Sequence, residues 1–234
     1  MKIKLLLLMA VMALCSGAAW ATPITVTESS TGNIMIPDND INGVSETITL
    51  AGTGIQSVTD VQLTLSIAGG FNGDYFAYLV HGSDIAILLN RVGLVDGTDN
   101  PYGYSDEGFN VTIADNAPNG DIHNYQSVSN PNGSAITGTW QPDGRNASPS
   151  AVTESTPRTA LLNVFDGDAG DGGWTLFIAD TSEGGIGTLE GWSLQVTGNP
   201  ATGITVPDSD NTLGLLATGF GLLLLFRRSP SVTT

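Results

Sequence analysis

Two runs in the last third of the chain constrain the fold most, because apolar and polar residues alternate strictly along them. The runs are Gly172–Asp180 and Gly187–Val196. Each places a tryptophan and two branched residues on one face: Trp174, Leu176 and Ile178 in the first run, and Trp192, Leu194 and Val196 in the second. Period-two alternation predicts half-buried strands. We therefore expect Trp174 and Trp192 to be structural core residues. The polar, glycine-rich link 181–186 predicts a turn, and the strands either pair directly or lie in opposing sheets.

Similar short alternations recur between clusters of turn residues, and no stretch shows a sustained helical period. The further predicted strands are Ile34–Ile36, Glu46–Leu50, Val58–Ile67, Tyr75–Val80, Ile85–Leu89, Phe109–Ile113 and Ile136–Trp140. Many short strands with this spacing predict an all-β fold, an antiparallel sandwich or jelly roll. Residues 22–198 form one predicted domain, long enough to bury a core without disulfides.

The first 21 residues have the organisation of a secretory signal peptide. Two lysines precede the apolar run Leu5–Leu14, and an A-x-A site formed by Ala19 and Ala21 predicts cleavage after Ala21. Cys15, the one cysteine of the chain, lies in this segment. It would be a lipid anchor if the chain were a lipoprotein, but the preceding leucine is large where such motifs use a small residue. The mature chain is therefore expected to have no disulfide and no thiolate nucleophile.

The acidic composition excludes one class of partner. The chain has 7 Lys and Arg residues against 23 Asp and Glu residues, a formal net charge of −16. Such a surface repels phosphate backbones, so we expect no nucleic-acid binding. It makes divalent cations conceivable partners, although a generic acidic surface of an exported protein is the simpler explanation.

One acidic loop has the composition of a calcium loop. Its candidate ligands are Asp166, Asp168 and Asp171. The loop departs from the EF-hand pattern because Gly170 occupies the fifth position and no glutamate closes it. The turn interpretation is therefore favoured, with calcium as the alternative and no other cofactor expected. Three more aspartates, which the sequence cannot show to converge, are Asp74, Asp115 and Asp180.

Nothing in the sequence predicts a catalytic site. The two histidines, His81 and His123, do not lie in a glycine-rich nucleophile turn, and no G-x-S-x-G motif occurs. For each histidine, a solvated or packing role is the favoured interpretation. We therefore expect no catalytic residue and no enzymatic activity.

The segment GGWTLFIADTSEGGIGTLEGWSLQVTG carries a resemblance to a known family. It resembles the end of the P domain (P/Homo B domain) that follows the catalytic domain of subtilisin-like proprotein convertases. Shared features are a Gly-x-Trp-x-Leu strand, an acidic residue, a Gly-Thr-Leu turn and a last strand starting near a tryptophan. The segments Ile36–Asp38, Gly73–Tyr75 and Gly138–Pro142 extend the resemblance, which covers residues 34–198. It implies a galactose-binding-like jelly roll.

In proprotein convertases the P domain packs against the subtilisin-like catalytic domain and stabilises it, so the family is associated with serine endopeptidase activity and proteolysis. Residues 22–198 have no room for such a catalytic domain. Three functions are therefore open. The first is a module that binds a glycan or protein of the cell envelope. The second is an accessory to a separately encoded subtilisin-like protease, acting in trans. The third is an enzyme of unrecognised type.

The C-terminal part has the organisation of a sorting signal. After a predicted linker, residues 199–205, comes a short motif, then the apolar run Leu213–Phe226 and two arginines. The motif residues are Val206, Pro207, Asp208 and Ser209. Residues 206–228 resemble the PEP-CTERM class of bacterial signals, in the variant that opens Val-Pro-Asp-Ser-Gly, with Asp210 in place of the glycine. The apolar run is short for a transmembrane helix, and the arginines favour a cytoplasmic C-terminus.

The resemblance to this class implies a partner and a location. An exosortase, a membrane protease, would recognise the motif and remove the tail. The protein would then be exported to the cell envelope, the cell surface or the extracellular matrix, and the helix would anchor it to the membrane only transiently. A plain membrane anchor is the alternative.

Overall fold

Ten strands form two sheets in residues 21–96 and 101–201, the parts of the chain that the computed structural model describes. The strands are β1 (Ile24–Ser30), β2 (Ile34–Ile36), β3 (Asp40–Leu50), β4 (Ile55–Phe71), β5 (Tyr75–His81), β6 (Asp84–Asn90), β7 (Glu107–Ala114), β8 (Ile136–Trp140), β9 (Gly172–Asp180) and β10 (Gly187–Pro200). Short 3₁₀ helices occupy Asn72–Asp74, Ile122–Ser127 and Leu162–Phe165. The all-β prediction is confirmed for the described residues.

The two sheets pack as a sandwich. One has six strands in the order β1-β10-β4-β7-β8, with β2 also paired to β10, and the other has four strands in the order β3-β9-β5-β6. The two runs that alternate most strictly, β9 and β10, therefore lie in opposing sheets and do not pair with each other. This settles the alternative that the sequence left open.

One strand pair differs from the expected antiparallel arrangement. β7 and β8 pair in parallel, with Phe109 opposite Ile136 and Ile113 opposite Trp140. A parallel pair needs a long crossover, and residues 115–135 supply it, including the 3₁₀ helix Ile122–Ser127. The prediction of a purely antiparallel sandwich was wrong at this edge.

The core lies between the sheets, where both alternating runs contribute their tryptophans. The ring of Trp174 is fully buried and stacks on His81 with ring centroids 3.9 Å apart. Trp192 is 3% exposed, and its Nε1 donates to Glu46 Oε2 at 3.1 Å. Because Trp192 belongs to β10 and Glu46 to β3, this hydrogen bond joins the two sheets. Both tryptophans are core residues, as the sequence predicted.

Strand boundaries differ from the prediction where pairing partners decide them. β4 runs from Ile55 to Phe71 and exceeds the predicted strand, because β10 and β7 pair along its two sides. The inward positions of β4 alternate as expected and are buried: Val61, Leu63, Leu65 and Ile67. Strand β1 was not predicted, and β10 continues to Pro200, two residues into the predicted linker.

Several predicted segments lie outside the described residues. They are the signal peptide up to residue 20 with Ala19, the sorting motif and the apolar run Leu213–Phe226. Ala21, the last residue of the predicted signal peptide, is described and exposed. Within residues 21–96 and 101–201, no helix is long and apolar enough to cross a membrane.

Removing either buried indole should destabilise the sandwich. We expect Trp174→Ala and Trp192→Ala each to lower the free energy of unfolding by roughly 3–5 kcal/mol, the range for truncating a buried aromatic side chain. Ile186→Ala is the control, because Ile186 is 66% exposed, and it should change stability by less than about 0.5 kcal/mol. Urea unfolding followed by tryptophan fluorescence or circular dichroism measures all three variants. A loss below about 1 kcal/mol for a tryptophan variant would contradict its core position.

Candidate functional site

A short turn between β4 and β5 forms one side of the candidate site. In this turn, Asn72–Asp74, the buried Asn72 side chain accepts the Gly108 N–H through Oδ1 at 2.8 Å. A Cβ added to Gly73 would lie 2.1 Å from the carbonyl oxygen of Tyr102. Only glycine therefore lets the neighbouring segment pack directly on the turn.

Two buried carboxylates meet at this turn. Asp180 ends β9 and lies opposite Tyr75 in the register of β5, so it is next to Asp74. The Thr181 N–H donates to the Asp74 carbonyl oxygen at 2.9 Å. Asp74 is 3% exposed and Asp180 is 0% exposed. Among the described residues, Asp74 Oδ1 and Asp180 Oδ2 both lack a hydrogen-bond partner, which is costly for buried polar atoms.

The surroundings of this pair disfavour its charged form. Burial raises the pKa of Asp74 to about 6, and the charge of Asp180 adds to the rise. Burial likewise raises the pKa of Asp180 to about 6, although the Ser182 N–H donates to Asp180 Oδ1 at 3.1 Å and opposes the rise. A third carboxylate, Asp38, raises both pKa values further. The pair is therefore an under-compensated negative site.

Arg91 is the cation that lowers the pKa of both aspartates. It follows β6 with a backbone φ of 48°. Its Nε donates to the Gly73 carbonyl oxygen at 3.2 Å, and its NH2 donates to the Pro101 carbonyl oxygen at 3.0 Å. Arg91 thus holds the turn and the segment after residue 100 in place while offsetting part of the negative charge.

Asp74 also lines a cleft of about 190 Å³. The side chains around the cleft are Phe71, Asp74, Tyr102, Tyr104, Ser105 and Glu183. The cleft therefore combines a buried carboxylate, an exposed carboxylate at Glu183 and three aromatic rings. The sequence placed Asp74 and Asp180 among possible oxygen ligands, but it gave no signal for Glu183 or Tyr102.

A second buried polar cluster lies around His123, which is fully buried. Its Nδ1 lies 2.7 Å from Asp143 Oδ2, and its Nε2 lies 3.0 Å from the Leu94 carbonyl oxygen. Arg145 NH1 forms ion pairs with Asp121 at 2.9 Å and with Asp143 at 3.3 Å. This cluster ties the long connections after β6, β7 and β8 together.

The other histidine is also held by main-chain groups. His81 Nδ1 lies 3.1 Å from the Gly173 carbonyl oxygen, and Nε2 lies 2.8 Å from the Ala169 carbonyl oxygen. Its ring stacks on Trp174 and is 7% exposed. Both histidines therefore have packing roles, one of the two roles that the sequence allowed. Within the ranges that the structure describes, no serine or threonine hydroxyl contacts a ring nitrogen of either histidine.

The aspartates of the loop that resembles a calcium loop in composition do not form one cluster. Asp171 Oδ1 accepts hydrogen bonds from the Thr53 hydroxyl and the Thr53 N–H, and Oδ2 accepts one from the Gly52 N–H. These three bonds, the hydroxyl bond most of all, lower the pKa of Asp171. Asp166 is exposed and lines a different groove together with Asp115. Among the described residues, no three His, Cys, Asp or Glu side chains are grouped so that they could hold a metal ion. Asp171 thus anchors a turn, the interpretation that the sequence favoured, and calcium at Asp166, Asp168 and Asp171 stays the alternative.

No protein-family model matches the chain, and no curated protein matches it significantly in sequence. Among solved structures, it is similar to the crystal structure of the Aeromonas sobria serine protease (ASP) in complex with the chaperone ORF2. The TM-score is 0.44 and the sequence identity is 16%. The match covers 78% of this chain but only 28% of that chain.

The buried pair should make stability depend on pH. Because the folded-state pKa values of Asp74 and Asp180 are raised from 3.8 to about 6, the protonated carboxyls favour folding. This contribution is complete below the unfolded value of 3.8 and is lost as the pH rises through about 6. The free energy of unfolding of the wild type should fall between about pH 4 and about pH 7. In Asp180→Asn we expect this fall to be smaller by on the order of 3 kcal/mol.

Asp171→Asn is the matched control with the opposite sign. The pKa of Asp171 is lowered, so its contribution is present above the unfolded value and is lost as the pH falls. The Asp171→Asn variant should therefore differ from the wild type at neutral pH and approach it in acid. Urea unfolding at a series of pH values measures both variants. If the free energy of unfolding of Asp180→Asn depends on pH as that of the wild type does, the pKa of Asp180 is not raised in the folded protein.

Proposed function

We propose that this protein is an exported, non-catalytic binding module of the P-domain kind, with a galactose-binding-like jelly-roll fold. The observation that carries the proposal is the position of the segment that resembles the P domain. Residues 172–198 form β9 and most of β10, the inner strands that bring Trp174 and Trp192 into the core. The resemblance therefore lies in the residues that organise the two sheets.

The chemistry of the two histidines supports a non-catalytic role. A Ser-His-Asp triad needs a histidine that receives a proton from a nucleophile. His123 Nε2 and both ring nitrogens of His81 are directed at carbonyl oxygens, which accept hydrogen bonds and have no proton to give. His123 resembles a triad histidine only in its contact with Asp143.

The outer face of the six-stranded sheet is suited to a polar ligand, either an envelope glycan or a protein. A shallow groove of about 290 Å³ crosses its middle strands. The polar side chains along the groove are Thr27, Gln62, Thr64, Thr112, Ser193 and Gln195. Hydroxyl and amide groups offer both donors and acceptors, which suit the hydroxyl groups of a sugar or the backbone of a polypeptide.

The proposed location and processing rest on the chain's ends. The signal peptide would export the protein, and the helix at residues 213–226 would hold it in the membrane until an exosortase-type protease removed the tail. The mature protein would then remain at the cell surface or in the extracellular matrix. As the alternative function, the module would stabilise a separately encoded subtilisin-like protease in trans, as P domains do within one chain.

Affinity capture tests the proposed function. Purified protein immobilised on beads is incubated with native envelope extract, and the retained components are identified by mass spectrometry and glycan analysis. We expect a specific envelope component that heat-unfolded protein does not retain, and no cleavage of a casein substrate by the purified protein. Retention of a subtilisin-like protease would favour the alternative. Cleavage of casein, or no specific retention, would contradict the proposal.

A further inference from the structure

We propose that the cleft at Asp74 binds the guanidinium group of an arginine side chain on a partner protein. The inference names the chemistry of a partner and so rests on the proposed binding function.

The first observation is the carboxylate that lines the cleft. Asp74 is 97% buried, since only 3% of it is exposed, yet within residues 21–96 and 101–201 its Oδ1 has no hydrogen-bond partner. Such an atom gains a full charge-assisted hydrogen bond when a cationic donor reaches it. The Asn72 N–H donates to the Asp106 carbonyl oxygen and the Gly73 N–H donates to the Tyr104 carbonyl oxygen. These bonds fix the backbone of the turn, so the acceptor is preorganised.

The second observation is the charge around that carboxylate. Asp180 and Asp38 both act on Asp74 and raise its pKa, and Arg91 alone acts in the opposite direction. Glu183, on the loop after β9, adds an exposed carboxylate to the lining of the cleft. The net field at the cleft is therefore negative, and a cation entering it would offset part of the cost of burying Asp74.

The lining of the cleft favours an organic cation over a metal ion. Calcium requires six to eight oxygen ligands, and the described residues contain no group of three or more His, Cys, Asp or Glu side chains that could hold a metal. Three aromatic residues, Phe71, Tyr102 and Tyr104, are among those that line the cleft. Aromatic faces beside carboxylates suit a planar guanidinium, which stacks on rings and donates to carboxylate oxygens at the same time.

The size of the cleft also fits a single side chain. Its volume of about 190 Å³ is below the roughly 300–1,000 Å³ that small-molecule pockets usually occupy. An arginine projecting from a partner would place its guanidinium against Asp74 and Glu183, and its apolar stem against Phe71. The remainder of the partner would lie outside the cleft.

The test is an NMR titration of the purified protein with the peptide acetyl-Gly-Gly-Arg-Gly-Gly-amide. A second peptide carries citrulline, the neutral isostere, in place of arginine. We expect the arginine peptide to shift the amide resonances of Gly103, Ser105 and Glu183 with a Kd of about 1 mM, and the citrulline peptide to bind at least about tenfold more weakly. No shift at up to about 20 mM arginine peptide, or equal shifts with both peptides, would overturn the proposal.

Two variants and one control locate the binding. Asp74→Asn should weaken the arginine peptide at least about tenfold, and Glu183→Gln about two- to fivefold, since Glu183 is exposed and can be changed without disturbing the core. Glu28→Gln removes an exposed carboxylate on the six-stranded sheet and should leave the affinity unchanged. Unchanged affinity in Glu183→Gln and in Asp74→Asn would overturn the proposal.

Calcium chloride in a separate titration distinguishes the remaining occupant. If calcium shifts the same amides and displaces the arginine peptide while magnesium does not, the cleft is a metal site and the proposal is wrong. Failure of the cleft is distinguishable from failure of the proposed function. If the wild-type protein does not bind the arginine peptide, and both the wild type and Asp74→Asn still capture the envelope partner, only the proposal about the cleft is wrong. The proposed binding function then stands.

Discussion

The pairing of β10 with its neighbours is the constraint on which the six-stranded sheet depends. Residues 187–200 pair with β4 along one side and with β1 and β2 along the other. The inward side chains of β10 include Trp192, Leu194 and Val196, all buried. Because an interior strand satisfies its backbone on both sides, β10, at the end of the domain, joins three strands from the first part of the domain. Trp192 then reaches Glu46 and connects this sheet to the other.

The candidate site destabilises the folded protein, and the rest of the sandwich has to offset this. β9 brings Asp180 to the start of β5, where Asp74 already lies buried. In the described part of the chain, one oxygen of each carboxylate has no hydrogen-bond partner, so the pair destabilises the folded chain at neutral pH. The stabilisation that offsets this cost comes from the apolar core around Trp174 and β10. Ionisable groups whose pKa values are shifted by burial and by neighbouring charges cluster at functional sites.

Much of the fold could be predicted from local patterns. The alternation in β9, β10 and β4 is strong because large apolar residues recur at every second position. β1 was missed because it is rich in threonine and serine, and only Ile24 and Val26 face inward. Its strand conformation comes from pairing with β10, a contact between the two ends of the domain that no local pattern reveals.

The candidate site could be predicted only in part. Sequence suggested Asp74 and Asp180 as oxygen-bearing residues, but their meeting depends on the register between β5 and β9. The loop with Asp166, Asp168 and Asp171 was the named metal candidate because of its composition, although a turn was favoured, and Asp171 accepts hydrogen bonds from Gly52 and Thr53. Proximity along the chain was therefore a poor guide, since a side chain's partners are set by the tertiary structure.

Native-state hydrogen exchange at increasing denaturant concentrations tests the role of β10 most directly. If β10 holds the six-stranded sheet together, the amides of Leu194 and Val196 should exchange only through global unfolding, with the full free energy of unfolding of the domain. The amides of edge strands β1 and β3 should open locally at lower free energy. Exchange of the β10 amides at a lower free energy than those of β1 and β3 would contradict the account.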